Sequence, residues 1–202
     1  MGDASPIDFY FDFSSPYGYL AAQAIDAIAE KHGREVVWKP ILLGILFKTT
    51  GQQPLAGIPL KGPYMIRDLD RSARRLGVPF VMPKAFPFMS VAAARACYYL
   101  GDKDSALAKR LAKLLYEKAF AEGRDISGAE AVVSTAVELG VDRQDLSRAL
   151  QNQSVKDRLR REVEAAAGAG VFGSPFVVVD GEPFWGHDRL QEVDDWLASG
   201  GW

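Results

Sequence analysis

The tract Tyr10–Leu20, YFDFSSPYGYL, sets two serines and a proline where an apolar strand gives way to a helix. The residue types that usually do chemistry at such a joint are missing from it: there is no cysteine, no histidine and no glycine-rich loop. The chain has one cysteine, Cys97, which excludes an intrachain disulfide and a CxxC redox pair. His32 and His187 have no ligand-like spacing, so no metal site is expected. Neither has a context that sets it beside Ser15, which argues against a Ser-His-Asp triad. On local pattern Ser15 is a helix N-cap followed by proline at the first helical position. Asp188 reads the same way at the head of the final helix, with Arg189 in a surface ion pair and Lys61 a solvated loop lysine. An X-Pro bond is cis in only about 5–6% of cases, so sequence alone predicts trans at Ser174-Pro175.

Elements on either side must position these residues. Ile7, Phe9, Phe11 and Phe13 alternate with Asp8, Tyr10 and Asp12, the period of a strand. Leu20, Ala24 and Ile28, with the row Ala21, Ile25 and Ala29, make the stripe of one helix ending near Gly33. EVVWKPILL is the next strand, so the chain opens β-α-β, with parallel pairing and a right-handed crossover expected. After a Gly/Pro-rich stretch from Gly51 to Pro63, helical patterns run to about Ala169. The spacing predicts helices over Tyr64–Leu76, Val91–Leu100, Asp104–Glu122, Gly128–Leu139, Arg143–Gln151 and Val155–Ala167. Ser127 with Glu130 fits a capping box. FVVVDGEPFW is a hairpin about Asp180-Gly181, followed by a short helix with Leu190, Val193 and Leu197 on one side. One sheet forms only if the helical block is inserted into it. The order predicts an α/β, thioredoxin-like sheet at residues 1–60 and 170–202, interrupted by a helical domain at 61–169.

Composition sets the partners. The 202 residues are 48% hydrophobic and 25% charged, with a formal net charge of -2. No cationic excess favours nucleic acid or an anionic membrane. The basic runs Arg71–Arg75 and Lys156–Arg161 read as solvated helix faces. The opening MGDASPI has no apolar run of signal-peptide length, and no stretch approaches a transmembrane span, so the cytoplasm is the expected compartment. Cys97 in AARACYY reads as a buried helical residue, and Phe86, Phe88, Tyr98 and Tyr99 mainly as core.

Several of these pieces together resemble one family. FYFDFSSPYGYLAAQ is similar to the first strand, loop and helix of the 2-hydroxychromene-2-carboxylate isomerases and the related kappa-class glutathione transferases. TTGQQPLAG, LKGPYMIRDL and GVFGSPFVVVDGEPFWGHDRL match the same family in the same order. The last is the most specific, because a Ser-Pro step, a hairpin and Gly-x-Asp-Arg occur there at tight spacing. The resemblance implies a thioredoxin-like fold with a large helical insertion, glutathione as cofactor and a small aromatic carboxylate as substrate. A homodimer is the expected assembly. The implied reaction interconverts 2-hydroxychromene-2-carboxylate and trans-o-hydroxybenzylidenepyruvate. A kappa-type transferase and a non-catalytic binding module are the alternatives.

The resemblance also implies roles. Ser15 matches the family's active serine, in the slot that holds Cys-x-x-Cys in disulfide oxidoreductases of this broad fold; here the sulfur would arrive with the cofactor. A helix N-terminus and a serine hydroxyl both stabilise a thiolate and lower its pKa. Ser15 is then a donor to the nucleophile, with Ser14 a neighbour in the loop. At Ser174-Pro175 the resemblance implies a cis bond, with the backbone of Ser174 turned toward the cysteinyl group like one rung of an antiparallel ladder. Relatives often have an apolar residue at position 174. Asp188 and Arg189 match an Asp-Arg pair that would hold the γ-glutamyl end. Lys61 would meet the glycyl carboxylate. Gln52 stands where the family usually has Asn, and His187 where relatives more often have Asn, Ser or Gln; no role is assigned to His187.

Overall fold

The computed structural model describes residues 5–202; residues 1–4, the start of the MGDASPI opening, lie outside the described residues. Strand β1, Ile7–Phe11, is buried on both faces. Phe9 and Phe11 point to one side of the sheet and Tyr10 to the other, as the twofold period of a strand requires. The chain then turns into α1 (Pro16–Ala22) and α2 (Ile25–Lys31), and returns as β2 (Val36–Pro40), which pairs parallel to β1 from Ile7↔Val36 to Phe11↔Pro40.

Two departures from the expected pattern occur here. The single helix from Leu20 to Gly33 is two helices. At the break Gln23 N–H bonds Leu20 O at 3.3 Å and Ala24 N–H bonds Ala21 O at 3.0 Å, a tightened last turn that re-aims the chain before α2. The second strand also stops at Pro40, and "ILL" leads instead into a helix, α3 (Leu43–Thr50). No side chain at its N-cap, Leu42, caps α3. Its first N–H, of Leu43, donates to Asp12 Oδ2 at 2.6 Å, from the far end of β1.

The next elements are helical: α4 (Lys61–Leu76), α5 (Val91–Gly101), α6 (Ser105–Tyr116) continuing as a π turn over Glu117–Ala121, α7 (Ala129–Glu138), α8 (Arg143–Gln151) and α9 (Gln153–Gly168). The Ser127/Glu130 capping box does not form. Gly128 is the N-cap of α7, Ser127 N–H donates to Asp125 Oδ1 at 2.9 Å, and Glu130 is drawn off by Arg143 and the Ser134 hydroxyl. The chain re-enters the sheet as β3 (Phe176–Val179), antiparallel to β1, and β4 (Glu182–Trp185), antiparallel to β3. The hairpin turns on Asp180 and Gly181, both at positive φ, the conformation its Asp-Gly sequence favours. Helix α10 (Leu190–Ser199) closes the fold. Strand order is β2-β1-β3-β4, a mixed sheet interrupted in sequence by helices.

Two apolar layers hold the sheet. On one side Phe9, Phe11 and Phe13 join Tyr19, Tyr116 and Phe120, so one core runs from the strands into α5, α6 and α7. On the other side Tyr10 and Phe176 pack with Ile41 and Leu46 and with Leu159 and Val163 of α9. Among the described residues no helix is long and apolar enough to cross a membrane.

Candidate functional site

Ser15 lies where β1 has ended and α1 has not begun. Its backbone N–H donates to Asp12 O at 2.8 Å. Its Oγ accepts the Gly18 N–H at 3.0 Å, so it is the N-cap of α1, with Pro16 at the first position. The same hydroxyl donates to the carbonyl oxygen of Ser174 at 2.8 Å. Both serines are buried, at 4% and 9% exposure. Close approach explains Gly18: a Cβ there would collide with the Tyr116 hydroxyl and stand 3.0 Å from Ser174 Oγ.

Beneath the turn is a buried carboxylate that the sequence pattern did not single out. Asp12, 3% exposed, accepts Ser14 N–H (2.8 Å) and the Ser90 hydroxyl (2.6 Å) on Oδ1, and Leu43 N–H on Oδ2. Burial pushes its carboxyl above the usual range, against the lowering by Ser90 and the Ser14 and Leu43 N–H groups. Its backbone is as engaged: the N–H donates to Ser174 Oγ at 2.9 Å, and the carbonyl accepts the Tyr116 hydroxyl at 2.9 Å. The only hint in the sequence is an acid set between Phe11 and Phe13, just past the end of β1. Ser14, the neighbour in the loop, accepts Phe88 N–H on its Oγ at 3.2 Å.

Ser174-Pro175 is cis, as the resemblance implied and against the expectation from sequence alone. Gly186 N–H reaches back to Pro175 O at 3.1 Å, tying this turn to the end of β4. Beyond Gly186, residues His187–Arg189 form a 3-10 turn ahead of α10. The N-cap expected of Asp188 is not made: Arg189 occupies that place and no side chain caps α10. Asp188 lies 3.5 Å from Arg189, whose guanidinium also pairs with Glu192, so the surface ion pair expected of Arg189 is present. His187 is better placed than its sequence suggested. Its ring stacks on Tyr17, two residues after Ser15, with centroids 5.0 Å apart and planes 20° from parallel. Burial holds its pKa below 6.5, with Asp188 and Asp68 opposing. Tyr17 in turn donates to Asp68 of α4 at 2.9 Å, and burial with that carboxylate pushes the phenol up.

The structure thus joins Ser15, Ser174 and Pro175 directly, and brings Asp188 and Arg189 to the α1 side through the His187–Tyr17 stack. Gln52 and Lys61 stand apart from this group. Both are exposed, Gln52 just after α3 and Lys61 at the first position of α4, and among the described residues no side-chain hydrogen bond ties either to the Ser15 turn. Burial pushes the Cys97 thiol up, as befits an unreactive core residue. Among the described residues no cluster of His, Cys, Asp or Glu is arranged to hold a metal ion.

The sheet order and the position of the helices are those of a DsbA-like thioredoxin fold, and residues 6–198 match the DSBA-like thioredoxin domain. A 2-hydroxychromene-2-carboxylate isomerase of Pseudomonas putida is 30% identical over 91% of this chain and 90% of its own length. Glutathione S-transferase kappa 2 of Caenorhabditis elegans is 29% identical over 98% of this chain and 94% of its own. The solved structure of a selenomethionine 2-hydroxychromene-2-carboxylate isomerase superposes with a TM-score of 0.88 at 27% identity, covering 96% of this chain and 95% of that one. The chain belongs to the DsbA-like thioredoxin family and, within it, to the group of 2-hydroxychromene-2-carboxylate isomerases and kappa-class glutathione transferases.

Proposed function

We propose that the protein is a glutathione-dependent isomerase of the 2-hydroxychromene-2-carboxylate type. The observation that carries this reading is a buried serine, where disulfide oxidoreductases of the fold place a cysteine, with its hydroxyl on the Ser174-Pro175 turn. Such a site has a donor for a sulfur and no sulfur of its own. The residues present fit glutathione: among the described residues the Ser174 backbone N–H has no hydrogen-bond partner, and its C=O has only the Ser15 hydroxyl. These are the two groups that one rung of an antiparallel ladder uses. When bound, glutathione supplies a thiolate that adds to the unsaturated substrate and leaves again. Ser15 would donate to that sulfur, Ser174 would hold the cysteinyl backbone, and Asp188 with Arg189 would meet the γ-glutamyl ammonium and carboxylate. Gln52 and Lys61 are assigned to the glycyl end on the resemblance alone.

The substrate on this reading is a small aromatic carboxylate. The helical domain is residues 61–169, set into a thioredoxin-like domain of 1–60 and 170–202, and the assembly is a homodimer. The kappa-type transferase is the second reading, supported by the Caenorhabditis elegans relative, whose match covers as much of the chain as that of the isomerases. The experiment is turnover of 2-hydroxychromene-2-carboxylate with glutathione well below the substrate concentration. Sustained turnover supports the isomerase. Turnover that stops when thiol is exhausted supports the transferase, and glutathione binding with neither activity supports a binding module.

A further inference from the structure

A hydroxyl has one hydrogen to give, and that of Ser15 is already given. Its oxygen accepts the Gly18 N–H, so its hydrogen lies on the line to Ser174 O at 2.8 Å. A sulfur arriving beside Ser15 therefore meets an oxygen with no free hydrogen. Nor can the carbonyl swing away to release it. Ser174 is pinned by its own Oγ, which accepts Asp12 N–H at 2.9 Å, and the next residue is held at Pro175 O by Gly186 N–H.

The carbonyl that holds the Ser15 hydrogen is also the acceptor a cysteinyl amide N–H would use on this turn. We propose that the Ser174 carbonyl is a gate: it holds the Ser15 hydrogen until the amide N–H of bound glutathione takes its place, and the hydroxyl then turns its hydrogen to the sulfur. The gate rests on the glutathione reading above and deepens it. Only the O–H rotor needs to move, because Oγ keeps its bond from Gly18. The two groups that switch keep a partner throughout: the carbonyl exchanges one donor for another, and the hydroxyl exchanges a neutral acceptor for an anion, the stronger partner by roughly twofold. The thiol proton leaves to solvent as the thiolate forms. The consequence is selectivity, since a thiol with no amide N–H at this position would enter without unlocking Ser15.

The test uses a depsipeptide form of glutathione, in which an ester oxygen replaces the amide N–H between the γ-glutamyl and cysteinyl units. The pKa of the bound thiol is read by ultraviolet thiolate absorbance, in the wild-type protein and in Ser15→Ala. The ester bound to wild type should titrate about one to two pKa units above bound glutathione, the worth of one hydrogen bond to a charged group. In Ser15→Ala the two thiols should titrate alike. Equal thiol pKa values for glutathione and ester in the wild type would overturn the gate. Should the ester bind too weakly to titrate, S-methylglutathione and its ester replace the pair, with affinity as the readout. With no thiolate to receive the Ser15 hydrogen, the amide should gain less in wild type than in Ser15→Ala. The affinity ratio of the two ligands should then be several-fold larger in the variant, and equal ratios would overturn the gate. If glutathione itself does not bind the wild type, the glutathione reading fails and the gate with it; if glutathione binds and the amide effect is missing, the gate alone fails.

Discussion

Asp12 Oδ2 accepts the Leu43 N–H at 2.6 Å, and through that bond the end of β1 fixes the start of α3. The other oxygen of the same carboxylate takes Ser14 N–H and the Ser90 hydroxyl, so one buried side chain ties the Ser15 turn to α3 and to the head of α5. Asp12→Ala would leave three donors without this partner, one of them fully buried and two part-buried, each costing about 1–3 kcal/mol where it stays unpaired. Equilibrium denaturation should show a loss of about 3 kcal/mol or more. Ser90→Ala, which removes a single donor, should cost about 1 kcal/mol. Comparable losses for the two variants would mean that the carboxylate does not carry this junction.

Ser15→Ala should change two things at once, because one hydroxyl caps α1 and, on the proposed function, serves the sulfur. Loss of the cap predicts a fall in stability of about 1 kcal/mol. Loss of a bond to a thiolate, roughly 1.5–3 kcal/mol, predicts a decrease in turnover of about 10- to 100-fold. Steady-state kinetics beside thermal unfolding checks both. Lowered stability with unchanged turnover would reduce Ser15 to a helix cap.

Much of this architecture was legible in the sequence, and the boundary between what was and was not is physical. The alternation from Ile7 to Phe13 and the Asp180-Gly181 turn are local signals, and both elements stand where they were expected. The start of α3 was hidden because its partner Asp12 is 31 residues away, while the apolar run after Pro40 reads equally well as more strand. The Ser127/Glu130 pattern misled because Glu130 had a stronger partner in Arg143, 13 residues on. At the site the resemblance pointed to Ser15, Ser174 and Asp188. No local pattern could show that His187 stacks on Tyr17, since the two rings meet only once the sheet has formed.

That stack carries a pH dependence. Burial lowers the folded-state pKa of His187 below 6.5, so between pH 6.5 and that lower value the unfolded chain binds more protons than the folded one. Stability contributed by neutral His187 is present above pH 6.5 and is lost as pH falls through the folded-state pKa. The facing groups Asp188 and Asp68 oppose this shift without reversing it. The difference in unfolding free energy between wild type and His187→Phe, which keeps the stack and removes the titration, should shift in favour of the variant on acidification. A difference independent of pH would contradict the placement.

If Asp188 and Arg189 hold the γ-glutamyl end, glutathione should raise the thermal midpoint of the wild type by mass action. Asp188→Ala and Arg189→Ala should each shrink that rise at a fixed glutathione concentration, while Ser15→Ala mostly spares it. Thermal unfolding with and without glutathione measures this directly. A rise undiminished in both variants would move the γ-glutamyl group elsewhere.

On the proposed function the isomerase and the transferase would use the same donor at Ser15, so it is the fate of the sulfur that separates them. An isomerase returns the thiol on every cycle and a transferase leaves it on the product. The decisive measurement follows titratable thiol and 2-hydroxychromene-2-carboxylate together, with glutathione far below the substrate. The proposed function predicts that substrate is converted many times over while the thiol count stays constant. Thiol falling one-for-one with substrate would contradict it.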